Sequence, residues 1–187
     1  MRRSGTLDSD LAWIARKGVT KMKIVILGCG RVGALLANMF DRAGHDVTII
    51  DKNPDAFGRL DPGYDGEKII GMGMDEEVLQ RAGLNSADAF IAVTNGDNTN
   101  VMAGQIAQRR FEVPRVIVRL YDPIRAQTYR EFGLEVICTS LIGAGVVRDL
   151  LLGEPQKRIE DYLEMGQVVR EIVPDIEGSA APTSERS

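Results

Sequence analysis

Three glycines stand where an apolar run ends and a segment with apolar residues at helical spacing begins. The stretch LGCGRVG places them at Gly28, Gly30 and Gly33. A chain that turns sharply from strand to helix needs a residue without Cβ at the turn, a second where a pyrophosphate approaches, and a third where helix and strand pack closely. The first N–H groups of such a helix are unpaired, and its dipole places positive charge there. The spacing predicts a phosphate-binding loop. Its remaining members are Cys29, Arg31 and Val32.

An acidic residue follows this loop at the distance that a dinucleotide site requires. Asp51 ends the next apolar run, about twenty residues on, at the position that receives ribose hydroxyls. A carboxylate there repels a 2′-phosphate, so the sequence favours NAD(H) or an adenine nucleotide such as ATP or ADP over NADP. The alternative is a strand–helix–strand unit with a glycine turn and no ligand.

Two side chains inside the loop have alternative interpretations. The guanidinium of Arg31 could make a charge-assisted contact with a phosphate, or it could simply be solvated. Cys29 lies beside a helix N-terminus, where a lowered thiol pKa would suit a redox sensor. The alternative for Cys29 is a small residue that fills the loop.

The remaining candidates have weaker support. His45 is the only histidine, and with no Cys/His cluster around it we expect a role in a turn or at the surface. Acidic side chains on the predicted helices could hold a divalent cation, but such residues are usually solvated. These are Glu76, Glu77 and Glu131.

Six short runs rich in β-branched residues must position these groups. Continuous apolar runs are typical of strands buried on both faces of a parallel sheet. Helical patterns lie between them, and right-handed crossovers then give the strand order 3-2-1-4-5-6. The sequence therefore predicts an α/β fold with a doubly wound Rossmann-type sheet and helices on both faces. The six strands are predicted at 23–27, 46–50, 67–71, 89–94, 115–120 and 135–138.

Apolar residues at helical spacing mark the predicted helix faces. The first stripe is Val32, Leu35, Leu36, Met39 and Phe40, and another is Val101, Met102, Ile106 and Phe111. A last helix is predicted at 141–152. Proline marks the junctions, at Pro54, Pro114 and Pro123, and glycine marks the helix ends, at Gly44, Gly83 and Gly133.

The two ends of the chain differ from the middle. Residues 1–21 show no clear period, and we expect a poorly ordered extension that arose as a leader from an upstream start codon; the alternative is a short docking helix over 9–17. The predicted domain covers 22–152. A short segment, 153–187, follows it, with one or two strands predicted within 165–178 and then a small, polar, disordered tail.

Composition excludes several classes of protein. The chain has 187 residues and a formal net charge of −4, which gives no indication of nucleic-acid binding. No apolar run approaches the roughly 18 residues of a membrane span, and the N-terminus has no apolar signal core. The two cysteines, Cys29 and Cys138, suit a reducing compartment. We therefore expect a cytoplasmic protein.

Three longer stretches resemble the KTN domain, also called the RCK N-terminal or TrkA-N domain. They are KIVILGCGRVGALLANMFDRAGHDVTIID, MDEEVLQRAGLNSADAFIAVTNGDNTNVMAGQIAQ and PRVIVRLYDPIRAQTYREFGLEVICTS. The resemblance implies binding of NAD(H), ADP or ATP and assembly as a homodimer, in some cases as a larger ring. It also implies a regulatory subunit that lies at the inner face of the cell membrane and gates a potassium channel or transporter.

The resemblance also implies roles for individual residues beyond the glycine loop. Lys52 lies beside the ribose-binding Asp51, and Arg119 resembles a basic residue of strand five that faces the phosphates. Four residues would line or follow the cleft at the end of strand four. They are Thr94, Asn95, Asp97 and Asn100.

The chain departs from the family pattern in two places. After strand three the family commonly has an aspartate that reads the adenine edge, whereas this chain has Met72, followed by Gly73 and Met74. A thioether cannot replace that carboxylate as an acceptor for the adenine amino group, although Asp75 could substitute. We still expect Met72, Gly73 and Met74 in the binding site, where the two methionines could contact a base; the alternative is that they simply pack. In addition, only about 35 residues follow the last predicted helix, so we do not expect a full RCK C-terminal domain.

A nicotinamide-dependent enzyme needs a second region that holds the substrate beside the cofactor. This sequence predicts the cofactor-binding half without such a region, which favours a nucleotide-controlled switch over an enzyme. The alternative is a small NAD-dependent oxidoreductase whose substrate site forms at a homodimer interface. A third interpretation is a degenerate domain that serves only as an oligomer scaffold.

Overall fold

Six parallel strands form a single sheet at the centre of the molecule. The structure, a computed structural model, describes residues 21–165. The order β3-β2-β1-β4-β5-β6, with every neighbouring pair parallel, confirms the predicted topology. The strands are β1 (Lys23–Leu27), β2 (Asp46–Asp51), β3 (Glu67–Ile70), β4 (Ala89–Ala92), β5 (Arg115–Leu120) and β6 (Glu135–Cys138).

Two strands end earlier than the apolar runs predict. β3 stops at Ile70 rather than at residue 71, and β4 stops at Ala92 rather than at residue 94. The backbone of Val93 still donates a hydrogen bond to the carbonyl of Leu27 at 2.9 Å, but the chain then turns out of the sheet. The residues released in this way form loops at the carboxyl edge of the sheet.

Helices connect the strands, and glycine ends several of them as predicted. Gly44, Gly83 and Gly133 adopt φ of +85°, +82° and +86°, a left-handed conformation that terminates a helix without a Cβ clash. Two short 3-10 segments, Pro54–Arg59 and Leu84–Ser86, complete the connections. The α-helices are α1 (Arg31–Arg42), α2 (Glu76–Arg81), α3 (Asp97–Arg109), α4 (Pro123–Glu131), α5 (Thr139–Leu152) and α6 (Ile159–Glu164).

The sheet separates two hydrophobic cores. Because successive strand residues face opposite sides, Val25, Leu27 and Phe90 lie in one core, whereas Ile24 and Ile26 lie in the other. All five side chains are at most 3% exposed. This burial on both faces confirms the prediction made from the continuous apolar runs.

Helix α1 does not bury the predicted apolar stripe. Leu35 is 61% exposed, and the fully buried positions are Gly33, Ala34 and Ala37. Small residues on the buried face let the helix axis approach the sheet, so the larger side chains are displaced to the flanks. Only Leu36 and Phe40 of the predicted stripe pack against the core.

Helix α6, which the sequence does not predict, is attached to α5 through a buried carboxylate. Asp149 has no exposed surface, and its Oδ2 accepts a hydrogen bond from the Tyr162 hydroxyl at 2.9 Å. Its Oδ1 accepts a hydrogen bond from Arg148 Nε at 2.9 Å. The hydrogen bond from Arg148 holds the pKa of Asp149 below its ordinary value. The ring of Tyr162 lies against Gly145, where a Cβ would overlap it.

Several predictions about the ends of the chain lie outside residues 21–165. They are the poorly ordered leader, the helix over 9–17, the strands within 165–178 and the disordered tail. Within the described range, α5 begins at Thr139, two residues before its predicted start. No helix in this range is both long enough and apolar enough to cross a membrane.

Two glycines of α5 provide a matched test of the packing of α6. An added Cβ at Gly143 meets no atom within 4 Å, so Gly143→Ala should raise the free energy of unfolding by about 0.5–1 kcal/mol through helix propensity. Gly145→Ala should instead lower it by about 1–3 kcal/mol, because the methyl group collides with Tyr162. Urea unfolding of both variants measures the difference. Equal effects would contradict the packing of α6 on α5.

Candidate nucleotide-binding site

A cavity of about 570 Å³ opens at the carboxyl ends of β1, β2 and β4. The chain order reverses between β1 and β4, and this switch point is where open parallel sheets bind ligands. Most of the predicted site residues come together here. Its lining includes Gly28, Cys29, Gly30, Arg31, Val32, Asp51, Lys52, Met72, Gly73, Met74, Thr94, Asn95 and Arg119.

The glycine loop has the conformation that its spacing predicts. Gly28 has φ of +101°, and an added Cβ would lie 2.9 Å from the backbone nitrogen of Thr94. An added Cβ at Gly33 would overlap the carbonyl oxygen of Gly28, so the helix could not start so close to the turn. At Gly30, the N-cap of α1, an added Cβ meets no atom within 4 Å. The Gly30 position therefore faces open space, where a ligand group can approach the backbone.

The Asp51 carboxylate links the end of β2 to this loop. Its Oδ2 accepts a hydrogen bond from the backbone N–H of Cys29 at 2.7 Å, and its Oδ1 accepts one from Asn53 N–H at 2.9 Å. Each carboxylate oxygen can accept a further hydrogen bond, so ribose hydroxyls can still be accommodated. The carboxylate thus shapes the loop and can also contact a ligand.

Cys29 is a buried structural residue. It has no exposed surface, and its Sγ donates a hydrogen bond to the carbonyl of Ala56 at 3.3 Å. Burial, together with the nearby charge of Asp51, raises the pKa of the Cys29 thiol to about 11. The alternative of a lowered thiol pKa is therefore wrong, because burial and the Asp51 charge outweigh the nearby cations Arg59 and Lys68.

Cationic side chains surround the cavity. Arg31 lies exposed in the first turn of α1, and Lys52 and Arg59 lie on the side of β2. Arg119 is only 9% exposed; its Nη2 donates a hydrogen bond to the Thr94 carbonyl at 2.7 Å. The Nε of Arg119 is buried without a hydrogen-bond partner in the described part of the chain. Four cations around one cavity favour an anionic ligand.

Two predicted site residues support the cavity from behind. Asn100 is fully buried, and its Nδ2 donates hydrogen bonds to the carbonyls of Thr94 at 3.0 Å and Arg119 at 2.8 Å. The carboxylate of Asp97 accepts hydrogen bonds from the backbone of Tyr121 and Asp122 at 3.0 Å and 3.1 Å. Neither side chain lines the cavity. They fix the ends of β4 and β5 relative to each other.

Asp75 does not replace the missing carboxylate at the base end. Its Oδ1 accepts a hydrogen bond from the backbone of Glu77 at 2.9 Å and caps α2. Asp75 also lies outside the cavity lining, whereas Met72 and Met74 belong to it.

Four polar or aromatic residues of the lining are not predicted from the sequence: Asn53, Arg59, Thr99 and Tyr121. Tyr121 follows directly after β5, and its ring centroid lies 4.5 Å from the guanidinium carbon of Arg119. The rule that ligands bind at the carboxyl ends of parallel strands would have found both Tyr121 and Asn53. No such rule predicts Arg59, because it reaches the cavity through the 3-10 segment Pro54–Arg59 and not from the end of a strand.

The remaining candidates make contacts with other groups of the protein. The Nδ1 of His45 accepts a hydrogen bond from the backbone of Met22 at 3.2 Å, which gives it the expected role in a turn. Glu76 forms an ion pair with Arg110 at 3.3 Å. Across residues 21–165, no group of three or more His, Cys, Asp or Glu side chains could hold a metal ion.

The sequence matches known potassium uptake proteins. It is 43% identical over 118 residues to the Trk system potassium uptake protein TrkA of Streptomyces coelicolor, covering 63% of this chain and 53% of that protein. It is 31% identical over 153 residues to a TrkA homolog of Methanothermobacter thermautotrophicus, covering 81% of this chain and 69% of that protein. The chain thus spans about half the length of the first relative and about two thirds of the second.

A solved structure supports the fold assignment. The crystal structure of GsuK bound to ADP superposes with a TM-score of 0.60 at 23% identity, covering 75% of this chain and 36% of that chain. The family model of the TrkA-N domain matches residues 24–140, which include the glycine loop and all six strands except Lys23, the first residue of β1. The chain therefore belongs to the TrkA-N domain family.

Proposed function

We propose that this protein is a nucleotide-binding regulatory subunit that gates a potassium channel or transporter from the cytoplasmic face of the membrane. The observation that carries the proposal is the cavity at the switch point, where the turn at Gly28, the Asp51 carboxylate and four cationic side chains converge. This combination suits a ligand with a ribose and two or more phosphates.

The names of the relatives support the potassium-transport part of the proposal. The Streptomyces and Methanothermobacter proteins are named as components, or homologs of components, of a Trk potassium uptake system. This chain matches only part of the length of these relatives, so its partner is proposed by analogy with them. The partner is a membrane-embedded potassium channel or transporter subunit.

The ligand class follows from the fit of the cavity to NAD(H), ADP or ATP. Open space at Gly30 leaves room for a pyrophosphate beside the first N–H groups of α1. The Nε of Arg119 is a buried donor with no hydrogen-bond partner among residues 21–165, and its guanidinium adds positive charge to the cavity wall. The ADP-bound GsuK structure shows a nucleotide in a protein with this fold.

We propose that the site senses its ligand rather than transforms it. Proton-transfer chemistry next to a nicotinamide ring normally employs a histidine, lysine, tyrosine or acid placed against the substrate. On the switch-point side of the cavity, around Thr94, the described lining offers only Tyr121 of these types, and its ring lies against the Arg119 guanidinium. This lining supports a regulatory role over an oxidoreductase.

Regulation requires a second subunit or domain whose position changes when the ligand binds. We propose that it is a second copy of this chain. One side of α5 presents uncharged residues to solvent over three turns, among them Val147, Leu150 and Leu151, which are 66%, 65% and 83% exposed. Contiguous exposed apolar side chains of this kind are typical of an interface. Sedimentation velocity on the full chain tests the proposal, and a monomer at all concentrations would contradict it.

The ligand can act only through its difference in affinity for the two dimer geometries. Such coupling free energies are typically about 1–3 kcal/mol. The residues proposed to contact the ligand also join neighbouring strand ends by hydrogen bonds. Arg119 donates one to the Thr94 carbonyl, and Asp51 accepts one from Cys29 N–H. A shift of the phosphates can therefore move the start of α1 relative to β4 and β5.

Loss of the carboxylate at Asp51 should weaken nucleotide binding. Asp51→Asn keeps the size of the side chain but removes the charge and one of the two oxygens that accept from Cys29 and Asn53. One or two charge-assisted hydrogen bonds to ribose contribute about 1.5–3 kcal/mol, or ~10- to 100-fold in Kd. Isothermal titration calorimetry with ADP, ATP and NADH measures the change. Asp55→Asn is the matched control, because that exposed carboxylate lies one turn away and outside the cavity lining. Equal affinity of Asp51→Asn and wild type would count against the site.

The same variant tests regulation of transport in cells. Deletion of the gene in its native host should change rubidium uptake at limiting potassium, and the full-length wild-type gene should restore it. The Asp51→Asn gene should fail to restore it at equal protein level. Normal uptake in the deletion strain would refute the potassium-transport role while leaving nucleotide binding intact.

Arg31 should discriminate between nucleotides by their number of phosphates. Its guanidinium lies at the first turn of α1 and lines the cavity. Arg31→Ala should weaken the binding of ATP more than the binding of ADP, because a charge-assisted contact to the third phosphate is lost. The ratio of the two dissociation constants should change by about 5- to 10-fold. Arg42→Ala, in the last turn of the same helix, is the control. An unchanged ATP/ADP ratio in Arg31→Ala would contradict this role.

A further inference from the structure

We infer that the site holds a purine base without reading it, so that guanine and hypoxanthine nucleotides bind nearly as well as adenine nucleotides. The inference rests on the proposed nucleotide-binding function and concerns the loop after β3, Gly71–Met74. In consequence, the protein would respond to the phosphorylation state of the whole purine nucleotide pool rather than to adenylates alone.

In the proposed binding mode, sheet order brings the base beside this loop. The phosphates would lie over the end of β1, where α1 begins, and the ribose at Asp51 at the end of β2. The next strand outward is β3, and Gly71 N–H donates a hydrogen bond to the Asp51 carbonyl at 3.1 Å. A base on a ribose held by Asp51 therefore extends toward Met72 and Met74.

Adenine and guanine differ in the groups at one edge of the ring. Adenine has an amino donor at position 6, where guanine and hypoxanthine have an oxygen acceptor. A site that hydrogen-bonds this edge rejects the wrong base strongly, because a buried polar group of the site loses its partner. Selection for adenine thus requires an acceptor, most effectively a carboxylate, at this end of the cavity.

The described lining has no free carboxylate at this end. Asp51 is the only acidic residue of the described lining. Its two oxygens accept hydrogen bonds from Cys29 and Asn53, and in the proposed binding mode their remaining acceptor capacity is used by the ribose hydroxyls. Asp75 lies outside the lining, and its Oδ1 accepts a hydrogen bond from the backbone of Glu77. The carbonyl of Met72 accepts a hydrogen bond from Asp75 N–H at 3.1 Å.

The side chains present at this end suit a ring face instead. Met72 is 58% exposed on the cavity rim, and Met74 lies half-buried beside it. Between them Gly73 is buried, and a Cβ there would overlap the side chain of Leu27. A thioether is a weak acceptor but makes favourable, adaptable contacts with aromatic rings. Two methionines therefore contact any purine similarly, whichever group it carries at position 6.

The test is a set of calorimetric titrations with ADP, GDP, IDP and CDP on wild type, Met72→Asp and Met72→Leu. In wild type we expect the three purine diphosphates to bind within about threefold of one another, and CDP to bind more weakly because its ring is smaller. Met72→Asp restores an acceptor at the amino edge and should raise the ADP preference over GDP at least tenfold. Met72→Leu keeps an apolar contact and should leave the preference unchanged.

Each outcome has a distinct meaning. Wild-type binding of ADP more than tenfold tighter than GDP would overturn the inference and leave the proposed nucleotide function intact. If Met72→Asp also binds the three purine diphosphates with similar affinities, the proposal that Met72 contacts the base is overturned. If none of the four nucleotides binds to wild type, the proposed function and this inference fail together.

Discussion

The structure of the site depends on a backbone turn that leaves no room for a side chain. Gly28 adopts φ of +101° with its α-carbon pressed toward the backbone of Thr94, and Gly33 lies directly above the carbonyl of Gly28. The Gly28 N–H is bonded to the Ile50 carbonyl at 2.7 Å, so the turn is fixed to β2. Because the turn is so tight, α1 begins at the edge of the sheet with its unpaired N–H groups directed into the cavity.

Two polar networks hold the walls of the cavity, and each joins the ends of neighbouring strands. On one side the Asp51 carboxylate bonds the loop after β1 and the loop after β2. On the other side Asn100 bonds both Thr94 and Arg119, which joins β4 to β5. Buried polar groups of this kind are stable only when each has a hydrogen-bond partner. A displacement of one strand end therefore moves the end of the neighbouring strand. The arrangement suits a domain whose output is a change of shape.

Most of the fold is predicted by short-range patterns. The six strands, their order and the glycine-terminated helices follow from continuous apolar runs, from the period of the segments between them and from the handedness of crossovers. The α1 stripe is the exception, since Leu35 is exposed while Ala34 and Ala37 are buried. Hydrophobicity alone favours the larger side chains for burial. Close approach of a helix to a sheet selects small ones, and that distance is a tertiary property.

The sequence by itself determined the glycine loop, the acid at Asp51 and the absence of a carboxylate at Met72, because each follows from residue type at a fixed distance from a strand end. Only the tertiary structure decided which residues face the cavity and which support it. Arg59 and Tyr121 reach the lining, whereas Asp97, Asn100 and Asp75 are turned to backbone partners. It also decided the state of Cys29, whose burial raises the pKa of the thiol although a helix begins two residues later. The reason is physical: hydrogen-bond partners and burial are set by segments that are distant along the chain, and no local spacing specifies them.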